Sequence, residues 1–232
     1  LMSRISDLKM DTGYLLSTLK TLLNIPSPTG MTDLAVGFVC SELAKLDIPY
    51  ELTRRGAIRA NLPRERKSPD RSVSTHLHTL GAIVKRIKPS GRLEISPVGH
   101  WSARFAEGAR MTVFMDEARK VRGTILPLKA SGHTYGDEVD ELPISWSNVE
   151  VRLDERIENA QDTMALGVNV GDIIAIDSNP QFEGNGFINA RHLDDKAGVA
   201  AVLTAAKAIQ EAGVTIPLDC HLLFTISEEV GV

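Results

Sequence analysis

Two cysteines in 232 residues cannot build a disulfide framework. Cys40 and Cys220 both lie in apolar surroundings, which predicts free, buried thiols and a cytoplasmic setting. Aromatic residues make up only 5% of the chain, too few for a sugar-binding groove lined with stacked rings. No apolar run approaches the ~18 residues that span a bilayer. The opening Leu1-Met2-Ser3-Arg4 does not lead into a secretory apolar segment. Basic charge is not in excess either. The net charge of −4 argues against a broad nucleic-acid surface. Internal repeats and low-complexity tracts are absent. What is there is an ordinary globular composition, 43% hydrophobic, of a length for one large domain or two small ones.

The periodicity changes twice along the chain. Leu15, Leu16, Leu19, Leu22 and Leu23 have helical spacing within 11–24, and Ile25-Pro26-Ser27-Pro28-Thr29-Gly30 ends that helix. Leu34, Ala35, Phe38, Val39, Leu43 and Leu46 predict a second amphipathic helix. A charged turn around residues 64–70 precedes a strand ending near His76. From about residue 86 to 183, short strand-like runs punctuated by Gly and Pro predict a compact β-rich module. One helix should interrupt it, from Asp154 as N-cap to Gly167 as C-cap. Ala197, Ala200, Ala201, Leu203, Ala206 and Ile209 then predict a helix leading to a strand over 218–226. The expected layout is an α/β domain of residues 1–85 and 184–232, carrying 86–183 as an inserted β domain.

Three segments carry chemistry. Ser227-Glu228-Glu229-Val230-Gly231 follows the continuous apolar run Leu222-Leu223-Phe224-Thr225-Ile226, which reads as a strand buried on both faces. Chemistry in open α/β sheets sits outside the carboxyl ends of such strands, and two carboxylates there repel or share cations. The plain alternative is that the acids open a helix. Thr75-His76-Leu77-His78-Thr79-Leu80-Gly81 and Arg191-His192-Leu193-Asp194-Asp195-Lys196 add imidazole and carboxylate groups beside small residues. A His, an Asp and a Glu from three strand ends can surround a divalent metal such as zinc or cobalt. Asp195 suits a helix N-terminus, and Lys196 is expected to pair with one of the acids. His100, His133 and His221 read as loop, rim or strand residues, and Trp101 and Trp146 as packing.

With these segments in this order, the chain resembles the dinuclear metallo-aminopeptidases that include the tetrahedral and deblocking aminopeptidases, also labelled endoglucanase or cellulase M. Leu23 to Gly30, Leu166-Gly167-Val168-Asn169-Val170-Gly171-Asp172, Leu193-Asp194-Asp195-Lys196 and Glu228-Glu229-Val230-Gly231 carry the likeness. A narrower likeness, to a branch associated with the osmolyte N-acetylglutaminylglutamine amide, rests on Thr79-Leu80-Gly81-Ala82 and Gly99-His100-Trp101-Ser102-Ala103-Arg104-Phe105. The resemblance implies an α/β/α sandwich of zinc-peptidase type with the β insert. It implies two divalent ions, Zn or Co, held by His76, by Asp194 as the bridging carboxylate and by Glu229. Glu228 matches the general base. Asp195 and His78 match outer groups, and His78 stands where the family pattern has an Asp. Short peptides are the implied substrates, and homo-oligomers from dimer to dodecamer, built through the insert, the implied assembly.

The family also supplies a carboxylate and a His beyond the Glu pair, so this sequence reads as the first two-thirds of a protein whose site is incomplete. A truncated, non-catalytic homologue with an assembly role is therefore a competing reading. A glycoside hydrolase is a third, since paired carboxylates also cleave glycosidic bonds. Against it, adjacent residues at a strand end should point in different directions.

Overall fold

A computed structural model describes residues 8–231, so the Leu1-Met2-Ser3-Arg4 reading lies outside the described residues. The leucine stripe forms helix α1 (Thr12–Asn24), started by Asp11, whose carboxylate accepts the Tyr14 N–H at 2.9 Å. Leu19, Leu22 and Leu23 are its buried face. Helix α2 (Asp33–Lys45) buries Ala35, Val39 and Leu43. Tyr14 Oη donates to Glu42 Oε2 at 2.8 Å and so links the two helices. Strands β1 (Tyr50–Leu52), β2 (Ile58–Asn61) and β3 (Arg64–His76) follow.

Leu80–Asp177, with Pro28–Gly30, forms a separate compact unit. Its strands are β4 (Gly81–Ile87), β5 (Leu93–Val98), β6 (Arg110–Phe114), β7 (Lys120–Pro127), β8 (Val149–Leu153) and β9 (Ile173–Ile176). They close into a barrel in the order β4-β5-β8-β7-β6-β9. Alternating Val84, Leu93, Ile95, Met111, Val113, Ile125, Val151 and Ile174 fill its core. Residue 86 falls within β4, because Gly81–Ile87 is one strand paired with β5 and β9. The helix expected from Asp154 begins later, at Ala160, with Asn159 and Asp162 forming a reciprocal cap. Asp154 instead pairs with Arg110 across the barrel surface, beside the Arg122–Asp177 pair at 2.5 Å. Trp101 and Trp146 meet edge-on at 4.7 Å, each indole N–H satisfied by a backbone carbonyl.

The other unit runs through Ser27, over Met31–Thr79, and from Ser178 onward. Here helix α3 (Leu193–Glu211) leads to strand β10 (Ile216–Thr225). The sheet order is β1-β2-β10-β3. Strand β10 is antiparallel to β2 and parallel to β3, with Thr225 opposite His76. The carboxyl ends of β3 and β10 therefore lie side by side. Leu222 and Phe224 are buried with Ile58, Ala60, α1, α2 and α3 in one core. Strand β10 is not buried on both faces as its apolar run suggests. His221 and Leu223 alternate with those two buried residues and stay half-exposed on the opposite face. Cys40 and Cys220 are free and half-buried.

Lys196 corrects another expectation. It does not pair with the neighbouring acids. It is 1% exposed and donates to the carbonyls of Leu22 at 2.7 Å and Ile25 at 2.6 Å, at the end of α1. Burial pushes its amine down to about 7, and a neutral amine still has a hydrogen for each carbonyl. Because the unfolded chain keeps the ordinary higher value, it binds the extra proton between pH 7 and 10.5, and stability rises with pH across that window. Lys196→Met should cost about 1–3 kcal/mol through the orphaned carbonyls and should flatten that slope. Urea unfolding at several alkaline pH values checks both.

Candidate metal centre

Three chain ends build the site. At the end of β3, His76 is 8% exposed and His78 is fully buried. Their segment is pinned by hydrogen bonds to main-chain carbonyls. Leu77 N–H donates to Thr225 O at 2.8 Å, Thr79 N–H to Ser27 O at 2.8 Å, and Ser27 Oγ to Leu77 O at 2.8 Å. At the start of α3, Asp194 and Asp195 have non-helical backbone angles, with a cis peptide between them, and the regular helix begins at Lys196. After β10, Glu228–Val230 form a single 3-10 turn.

Asp195 welds two of these ends together. Its carboxylate accepts the Gly198 N–H at 3.1 Å, capping α3, and the His76 N–H at 3.2 Å, completing the end of β3. A Cβ on Gly198 would come within 2.1 Å of the Asp195 carboxylate, so glycine there leaves the room for this fold-back. Asp194, by contrast, turns its carboxylate outward to the His76 ring.

His76 is the centre of the cluster. Its Nδ1 donates to His78 O at 3.0 Å, which leaves Nε2 facing the acids. Nε2 lies 3.1 Å from Asp194 Oδ1 and 3.9 Å from Glu228 Oε2. One ligand-type atom each from His76, Glu228 and Glu229 lies within 4.8 Å of the others. Glu228 and Glu229 do not diverge as an extended strand would make them. The 3-10 turn swings both carboxylates to one side. Glu229's carboxyl is raised by burial, opposed by His76, and raised further by the charges of Glu228 and Asp194. The site is open on one side, with the Asp194 and Glu228 side chains 90% and 65% exposed. An imidazole nitrogen with neighbouring carboxylates is a donor set that fits zinc- or cobalt-type ions, but Asp194, 3.1 Å from His76, falls outside the mutually close set of His76, Glu228 and Glu229.

His78 lies behind this cluster. Its Nε2 accepts the Glu229 backbone N–H at 2.9 Å. Burial, and then the neighbouring His76, push its imidazole down to about 4, against a pull upward from the Thr225 backbone. His192, beside the acids, has a left-handed backbone (φ 66°). A second convergence had no sequence signal. His221 Nε2 lies 3.8 Å from Asp70 Oδ2 and 3.9 Å from Asp219 Oδ2, where the β3–β10 register shifts. Arg64 Nε, 3.2 Å from Asp219 Oδ2, already compensates that acid.

The sequence profile of the M42 glutamyl aminopeptidases matches residues 56–232. The chain belongs to the M42 glutamyl aminopeptidase family. It is 36% identical over 213 residues to the Bacillus subtilis protein YhfE, provisionally named an aminopeptidase, covering 92% of this chain and 61% of that one. The chain thus spans about three-fifths of that relative's length. Among solved structures, a TET aminopeptidase from the marine sediment archaeon Thaumarchaeota archaeon SCGC AB-539-E09 superposes with a TM-score of 0.83 at 20% identity, covering 95% of this chain and 60% of that one. The Pyrococcus horikoshii TET1 peptidase, which can assemble into a tetrahedron or a large octahedral shell, gives 0.77 at 22% identity, covering 94% and 62%. At these identities the two structures show a shared α/β fold and no more. The osmolyte-associated branch remains an expectation. Within this cluster, Asp195→Ala should cost about 1–2 kcal/mol by removing a helix cap and leaving the His76 N–H unpaired. Urea titration of the metal-free chain measures it.

Proposed function

We propose that the protein carrying this sequence is a cytoplasmic, metal-dependent aminopeptidase that removes N-terminal residues from short peptides. The convergence of His76, Glu228 and Glu229 within 4.8 Å, in a chain of the M42 family, is the observation that supports it. Two divalent ions, zinc or cobalt, would supply the Lewis acidity that acidifies water and polarises a carbonyl. His76, Asp194 and Glu229 would hold them. Glu228 is the general base. Its exposed carboxylate takes the proton of the attacking water and returns it to the leaving amine. Asp195 and His78 position the groups around them.

Assay on amino-acid anilides, with zinc or cobalt titrated in, tests this reading. Glu228→Gln should lower turnover by roughly 10²–10⁴-fold, the usual worth of general base catalysis, while metal content by elemental analysis stays unchanged. Turnover that survives chelator would refute the mechanism.

Residues 86–183 are the proposed assembly and substrate-access module, forming homo-oligomers between a dimer and a dodecamer. Light scattering at micromolar concentration should give a multiple of the monomer mass. A monodisperse monomer would contradict this.

A further inference from the structure

His78 offers two different groups to the cluster in front of it. Its main-chain carbonyl orients the His76 ring, so the side chain at position 78 is not needed for that task. Its ring serves Glu229 instead, through Nε2. An acceptor nitrogen carries no proton, so the ring proton sits on Nδ1. Nδ1 is buried and has no partner of good hydrogen-bond geometry among the described residues, only the weaker pull of the Thr225 backbone. The other tautomer would set two N–H donors against each other at the 2.9 Å contact. Burying Nδ1–H without a well-aligned acceptor costs free energy, and what that arrangement secures is the Glu229 main chain. The His76 ring, tilted 39° with its centroid 4.6 Å away, limits rotation of the His78 ring out of this pose.

The geometry points to His78 as a positioning residue that fixes the Glu228–Glu229 turn by accepting the Glu229 N–H on Nε2, so that an uncharged acceptor of the right reach suffices at this position. The inference rests on the metal-site reading above. It also makes a specific demand on side-chain length. A glutamine carboxamide reaches about as far as the imidazole Nε2, whereas asparagine is one bond shorter.

The test combines cobalt binding with nitrogen NMR on the 232-residue chain. Co(II) titration, read by visible absorption, should give wild type and His78→Gln affinities within about threefold of each other, because the acceptor is kept. His78→Leu and His78→Asn should bind about 10–100-fold more weakly, the usual loss when a group supporting a metal ligand is removed. Equal affinity for all four would overturn the proposal. Nitrogen NMR of the metal-free wild type should show Nδ1 protonated, Nε2 bare, and a coupling across the hydrogen bond from the Glu229 amide to Nε2. A protonated Nε2, or no coupling, would overturn it even if His78→Leu fails to fold. Absence of cobalt binding by the wild type would show that these donors alone do not hold the ion. The coupling would then still decide the role of His78.

Discussion

The carboxylate of Asp195 is the constraint on which the rest of the site depends. It accepts main-chain N–H groups from two elements far apart in sequence, the end of β3 and the first turn of α3. Both donors belong to chain ends that a sheet or a helix leaves unpaired. Satisfying them with one side chain places Asp194, its neighbour, against the His76 ring. Lys196 acts on the other side of the same turn, drawing the end of α1 toward α3 through Leu22 and Ile25. Three consecutive residues thus divide into one that faces the cluster, one that clamps backbone and one that is buried in the protein. Their order follows from the way the backbone turns into the helix.

Charge is the other organising term. Three carboxylates crowd one imidazole, and Glu229 is already partly withdrawn from water. Burial and the neighbouring acids favour its neutral form, and only His76 opposes them. Such a group is poised to gain from a cation, because one ion relieves every repulsion at once. The exposure of Asp194 and Glu228 leaves a face through which an ion and a substrate can approach.

Much of this is legible in the residues taken in order. Leucine spacing marks α1 to within a residue. The motifs at His76 and Glu228-Glu229 flag side chains that come together, because strand ends in a parallel pair are neighbours by construction, while Asp194 reaches His76 from the start of α3. Other features are not legible. Whether Lys196 meets an acid or a carbonyl depends on where α1 ends in space. The fold-back of Asp195 needs the missing side chain of Gly198, and nothing in an Asp-Asp pair says which acid turns inward. The direction of Glu228 and Glu229 is misread when the strand is carried on past Thr225 into what is a 3-10 turn. The Asp70–Asp219–His221 convergence arises from a register shift, which leaves no periodic trace.

The barrel has a consequence for how other molecules can meet it. Each of its six strands has a neighbour on both sides, so the sheet has no free edge strand, and its one thin seam is β5–β8, joined at the single pair Leu93–Val151. Away from that seam, strand addition, a common way for an extended chain to join a sheet, has no edge to begin from. There, recognition is by side chains, and a partner is selected by the shape and charge of a surface that carries paired arginines and aspartates rather than by a backbone ladder open to any sequence.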